Sequence, residues 1–155
     1  MRERYLPPSN FLQAVINEEI SFGESEFEKG NLHRLIAMTR DADAANRDWA
    51  TLLLSQLELD LPEVRDALVL AASDEVLAVR SEAMLGLAML DAAKALPFLQ
   101  RELTGKCVNL SLLEAAAIVG HSSLLPDLMA FAEPSDDPWL DEAVHNAIAA
   151  CKDSG

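Results

Sequence analysis

Positive charge is scarce in this chain. Its 12 Lys and Arg residues stand against 26 Asp and Glu, a formal net charge of −14. A field of that sign repels nucleic-acid phosphate and anionic lipid, so binding to nucleic acid or to a membrane surface is not expected. Aromatic residues make up only 5% of the chain, and runs of β-branched residues are nearly absent, which disfavours sheets. The two cysteines, Cys107 in an expected turn and Cys151 near the end, are too few for a disulfide framework and read as thiols packed as small apolar groups. No Gly-rich phosphate loop and no G-x-S-x-G occurs. The segment Met1-Arg-Glu-Arg-Tyr5 has no apolar run behind it, and no stretch approaches the ~18 apolar residues of a membrane span. A cytoplasmic location is therefore expected.

What is abundant is Leu and Ala, within an apolar content of 50%, and it is arranged periodically. The stretch Asp74–Leu90 carries an apolar stripe at Val76, Val79, Ala83, Leu87 and Leu90, the spacing of a helix face. Ala83 and Gly86 keep that face slim enough for a neighbouring helix to approach closely. The same design recurs in four windows, starting at Leu35, Leu68, Leu99 and Leu128. Each has an apolar helical stretch, a polar turn, and a second helix centred on a small residue: Ala50, Ala83, Ala115 and Ala143. The offset from leading Leu to central Ala is 15, 15, 16 and 15 residues, and successive windows are 33, 31 and 29 apart. A drifting period near 30 with two helices per unit predicts an all-α fold, a right-handed α-solenoid of about four helix pairs.

Two details extend this reading. Asp is followed six residues later by Arg at Asp41/Arg47 and Asp74/Arg80, and Leu-Pro-x-Leu occurs at Leu96–Leu99 and Leu125–Leu128. With them the pattern resembles the HEAT repeat, in particular the short bacterial HEAT-like repeats also found in phycobilisome lyase-type proteins. The resemblance covers about residues 31–151. It implies a polar ladder built by Asp41, Arg47, Asp74 and Arg80, with Arg80 reaching Asp41 or Asp74. The Asp/Arg pattern lapses in the last two windows, so the ladder is expected to join only the first two. HEAT-like DNA glycosylases also share the fold, but they need a basic surface. From Thr104 onward this chain offers only Lys106 and Lys152 against eight carboxylates.

One domain is expected over 1–155. Residues 1–30 form an N-terminal capping helix, from about Phe11 to Ile20, and a loop from Ser21 to Gly30 that tucks in Phe22 and Phe27. The repeats follow at 31–60, 61–91, 92–120 and 121–152. Pro62 suits a first helical turn, whereas Pro97 and Pro126 either bend a helix or start one.

No constellation of catalytic type emerges. His33, His121 and His145 lack His or Cys partners at helical spacing, and Asp141 with His145 supplies too few ligands for structural zinc. No metal, cofactor or catalytic residue is expected. The leading expectation is a non-catalytic protein-interaction module or scaffold. It would bind a basic partner surface through an acidic face carrying Glu82, Glu114, Asp136, Asp137, Asp141 and Glu142, with Trp139 as apolar anchor. Asn46, Asp48, Ser55, Gln56 and Ser81 are further candidate surface positions. Against this stand plainer readings: acidity as a solvated surface, Asp136-Asp137 as helix capping, and Trp139 stapled onto Phe131 or Leu140. An inhibitor or immunity-type protein blocking a basic target is the alternative. A lyase-type enzyme handling a bilin is implied by the resemblance alone.

Overall fold

The computed structural model describes residues 5–153, and among them the chain is all-helical. Nine α-helices run in order: α1 (Asn10–Ile16), α2 (Glu26–Met38), α3 (Ala44–Gln56), α4 (Pro62–Ala71), α5 (Leu77–Leu90), α6 (Ala92–Glu102), α7 (Leu110–Val119), α8 (Leu125–Met129) and α9 (Pro138–Lys152), with a 3-10 turn at Ser122–Leu124.

Short polar side chains set the helix starts. Ser9, Ser25, Asp43, Asp91, Asn109 and Asp137 each accept a hydrogen bond from a backbone N–H of the first turn. Ser25 and Glu28 form a reciprocal box: the Glu28 N–H donates to Ser25 Oγ, and that hydroxyl donates to the Glu28 carboxylate. This box starts α2 at Glu26 rather than Asn31. The expected loop therefore ends at Ser25, and Gly30 lies inside a helix. Phe22 packs against the core, but Phe27 on the first turn of α2 is 76% exposed rather than tucked in. The first helix is shorter than expected, ending at Ile16 because Glu18 takes a left-handed backbone (φ 61°). Pro62 occupies the first turn of α4 and Pro126 that of α8. Pro97 lies inside α6, where its ring removes the donor that would serve the carbonyl of exposed residue 93.

The second helices of the repeated units, α3, α5, α7 and α9, lie side by side and parallel. Arg47 at the start of α3 meets Asp74 just before α5, and Ser55 near its end meets the backbone of Glu82. Asn109 at the start of α7 donates to Ser81 Oγ of α5 at 2.8 Å. Gly120, the left-handed cap of α7 (φ 55°), brings its backbone against the Ala150 carbonyl of α9. Helices α4 and α6 each pack against α5, and α1 packs on α3. The core runs continuously along this row: Ala50 and Leu54, then Val79, Ala83, Met84 and Leu87, then Leu112, Ala115 and Ala116, then Val144 and Ala147. Ala50, Ala83 and Ala115 are fully buried, as their central positions demand. Ala143 is only half-buried, since no further helix covers the outer part of α9 among the described residues.

Candidate functional site

The ladder residues come together in a different order from the expected one. Arg47 reaches across the unit boundary, its Nε 2.9 Å from Asp74 Oδ2, and its Nη1 donates to the carbonyls of Asp41 and Ala42. The Arg47 and Asp74 side chains are 12% and 4% exposed. Asp74 accepts the Val76 N–H as well, so one buried carboxylate both shapes the turn into α5 and receives the preceding unit. Arg80 does not pair with the carboxylate of Asp41 or Asp74. It donates to the Asp74 carbonyl of its own turn and to Glu102 Oε1, 2.6 Å away at the end of α6. Each arginine thus points forward to the next unit, and the ladder extends into the third unit because Glu102 supplies the carboxylate that the sequence pattern lacks there. Asp41 instead accepts from the Asn46 side chain and the Asp43 N–H, which hold its carboxyl below the usual range.

Among the proposed surface positions, Asn46, Ser55 and Ser81 are buried and serve the helix seams. Asn46 bridges Asp41 and the Ser9 N–H, and Ser55 and Ser81 bond across to α5 and α7. Parallel helices packed this closely leave room only for small side chains on their flanks. A small polar residue there bonds its neighbour instead of solvent.

The uncovered face of the row is formed on α5 by Glu82, Leu85 and Met89, on α7 by Leu110, Glu114 and Ile118, and on α9 by Trp139, Glu142 and Asn146. Each set follows i, i+3 or i+4 spacing. Glu82 differs from the others. Together with Asp48 of α3 it forms a carboxyl pair in which Asp48 Oδ1 and Glu82 Oε2 are both sealed from solvent and lack any other partner. Burial first, then the hydrogen bond and charge of Asp48, push Glu82 up to about 9. A proton shared by the two carboxyls resolves both orphaned oxygens, so Glu82 contributes no negative charge to the face at neutral pH. The other oxygen of Asp48 accepts the Tyr5 hydroxyl at 2.9 Å, and burial together with this bond pushes the phenol up to about 12. The Tyr5 ring stacks on Trp49 at 6.0 Å.

The Glu82 proton has a measurable consequence. The unfolded chain releases it in the ordinary carboxylate range, while the folded chain keeps it to about pH 9. The associated stability is complete below the ordinary range and is lost as pH rises towards 9. Glu82→Gln, which keeps a donor facing Asp48, is expected to flatten that slope. At pH 8 it should raise stability by on the order of 1–2 kcal/mol after discounting for partial exposure. Urea melts of both proteins at pH 5 and pH 8 measure this. An unchanged pH slope in the variant would contradict the shared proton.

At the other end of the face, residues of α7 and α9 line a groove of about 470 Å³. Ala117 and Ala143 make its floor shallow in side chains, and Leu110, Leu113, Ile118 and Trp139 make it apolar. Glu114 stands on one wall and Glu142 on the other. Trp139 is 74% exposed and is not folded onto Phe131 or Leu140. The nearby acids divide by role. Asp137 caps α9 through the N–H groups of Trp139 and Leu140. Asp141 closes the preceding loop on Ser135, whose hydroxyl and N–H hold its carboxyl below the usual range. Asp136 is exposed. The groove therefore unites Glu114, Trp139 and Glu142, and separates them from Glu82. The apolar residues Leu110 and Ile118 carry no motif. Their i, i+4 and i, i+8 relation to Glu114 and to each other was the only available sign. Among the described residues no group of His, Cys, Asp and Glu is placed to hold a metal ion, and no helix is long and apolar enough to cross a membrane.

A helical row with an uncovered apolar and acidic face is the class of architecture in hand. No protein-family model matches the chain. It is 30% identical over 127 residues to Protein YibA of Escherichia coli strain K12, and equally to that of Escherichia coli O157:H7, covering 82% of this chain and 44% of each relative. The crystal structure of Escherichia coli YibA superposes with a TM-score of 0.65 and 25% identity, covering 93% of this chain and 55% of that one. The chain thus shares the fold of part of YibA and spans about half the length of the relatives it matches.

Proposed function

We propose that this chain is a HEAT-like helical-repeat module, a right-handed α-solenoid of about four helix pairs behind an N-terminal cap. It works in the cytoplasm as a non-catalytic binding surface for a basic protein. The repeat reading is supported by the parallel row α3, α5, α7 and α9, by the buried central alanines, and by arginines that each reach forward to the next unit. The binding reading rests above all on the groove between α7 and α9. Solvated acidity alone does not require an exposed tryptophan, yet here Trp139 lines an apolar groove together with two carboxylates. Charge of one sign governs the approach and selection of a partner, and buried aromatic anchors supply most of the affinity.

Affinity capture from the source cells tests this with three proteins: the natural chain, Trp139→Ala, and the double variant Glu114→Gln/Glu142→Gln. A basic partner is expected on the natural chain at about 0.05 M salt and should be released towards about 0.3 M, as the Debye length shrinks. Trp139→Ala should weaken capture at least tenfold. A partner whose retention ignores salt and both changes would place the binding surface elsewhere.

A further inference from the structure

We infer that the α7–α9 groove receives an amphipathic helix of the partner, with two turns of apolar anchors flanked on both sides by Lys or Arg. The inference rests on the binding reading above and gives that partner a shape. From Leu110 to Ile118 the lined part of α7 spans nine residues, eight helical steps or about 12 Å. That length matches anchors at i, i+3 or i+4, and i+7 of a docked helix. The chain offers no sheet edge among its described residues, so an extended peptide would find no ladder to join.

The walls specify the flanks. Glu114 on α7 and Glu142 on α9 face the groove from opposite sides, both exposed, and neither is in an ion pair among the described residues. No Lys, Arg or His lines the groove. A docked helix with its apolar stripe on Ala117 and Ala143 presents one flank to each carboxylate, so basic residues are required on both sides of the stripe. A helix with one basic flank leaves a carboxylate unanswered. A second copy of this chain is a poor occupant, because each copy brings a net charge of −14 and the same two groove carboxylates.

The test uses a synthetic 14-residue peptide with Leu at i, i+3, i+4 and i+7 and Lys on both flanks, and an isomer of the same composition with Leu spread round the helix. The protein carries Trp49→Phe, so that Trp139 alone reports. The expected results are a blue shift of Trp139 emission with the first peptide and at least tenfold weaker binding of the isomer. Ile118→Asp, at an exposed position that leaves the fold intact by circular dichroism, should lose at least tenfold. Equal binding of the isomer, or an unmoved Trp139, would overturn the inference by showing that only charge is read. Sedimentation showing a dimer that Ile118→Asp dissolves would overturn it in favour of a second copy. If Ile118→Asp still captures a basic partner from cells in a salt-sensitive way, the groove assignment fails while the acidic-face reading stands. If capture also ignores salt and Trp139→Ala, both fail.

Discussion

Arg47→Ala is expected to be the most damaging single change outside the apolar core, costing on the order of 3–5 kcal/mol, because it strands a buried charge. The partner left behind is Asp74, whose side chain is 4% exposed. Its remaining protein donor is the Val76 N–H, and the exposed Arg47–Glu75 contact at 3.6 Å contributes little. The same substitution frees the carbonyls of Asp41 and Ala42, so the turn between α2 and α3 loosens with it. Arg80→Ala should cost less. Its Glu102 partner is also shielded, at 11%, but Arg80 itself is 23% exposed, and water can take its place more readily. Arg101 is no neutral control, since it donates to the Ala72 carbonyl at 2.7 Å and lies over the Phe98 ring. Exposed Lys94 is the better reference. Urea denaturation of Arg47→Ala, Arg80→Ala and Lys94→Ala should rank them in that order. Equal losses for Arg47→Ala and Lys94→Ala would remove the ladder as a source of stability.

The second large effect is a pair of glycine substitutions with opposite signs. Helix propensity favours Ala over Gly by roughly 1 kcal/mol at an interior position, and both Gly30 and Gly86 lie inside helices. A methyl group at Gly30 meets nothing within 4 Å, so Gly30→Ala should stabilise by up to about that amount. At Gly86 the added carbon would stand 2.5 Å from Ser55 Oγ, 3.0 Å from Ser55 Cβ and 3.1 Å from a Leu68 methyl. Ser55 cannot swing away freely, because its hydroxyl already bonds the Thr51 and Glu82 carbonyls. Gly86→Ala should therefore force α3 from α5 and cost about 1–3 kcal/mol despite the gain in propensity. The double variant Ser55→Gly/Gly86→Ala should recover much of the loss. Thermal melts of the four proteins decide the matter, and a stabilising Gly86→Ala would mean that the two helices do not approach so closely.

The contrast between the glycines shows what was legible in the sequence. The periodicity of Val79, Ala83 and Leu87 located α5, and the repeated small centres located its neighbours, because both follow from the 3.6-residue turn. The tight spot at Gly86 depends on Ser55, which lies far off in sequence and enters only through the packing of α3. Similarly, Asp41/Arg47 and Asp74/Arg80 were visible as local spacings, yet the carboxylate that Arg80 selects, Glu102, sits on another helix with no motif of its own. The start of α2 is written locally, since Ser25 and Glu28 spell a capping box, but the two nearby glycines point to a loop instead. At the candidate site, charge singled out Glu114 and Glu142, which are exposed, while Trp139 could equally have been stapled onto Phe131 or Leu140 and is exposed instead. Charge could not distinguish the two glutamates from Glu82, whose proton depends on Asp48, nor from Asp137 and Asp141, which are occupied by their own loop.

The parallel order of α3, α5, α7 and α9 has an electrical consequence. Backbone dipoles that alternate in an antiparallel bundle cancel, whereas here they point the same way. The edge holding the helix starts is partially positive, and Asp43, Asp74 and Asp137 sit on it as counter-charges. The opposite edge is partially negative, and α3, α5 and α7 carry no basic residue in their last turns to offset it. The row is polarised along its helix axes, within a chain that is acidic overall. A helix laid in the groove would consequently have a preferred direction, antiparallel to α7, with its own positive start over the uncompensated end of that helix.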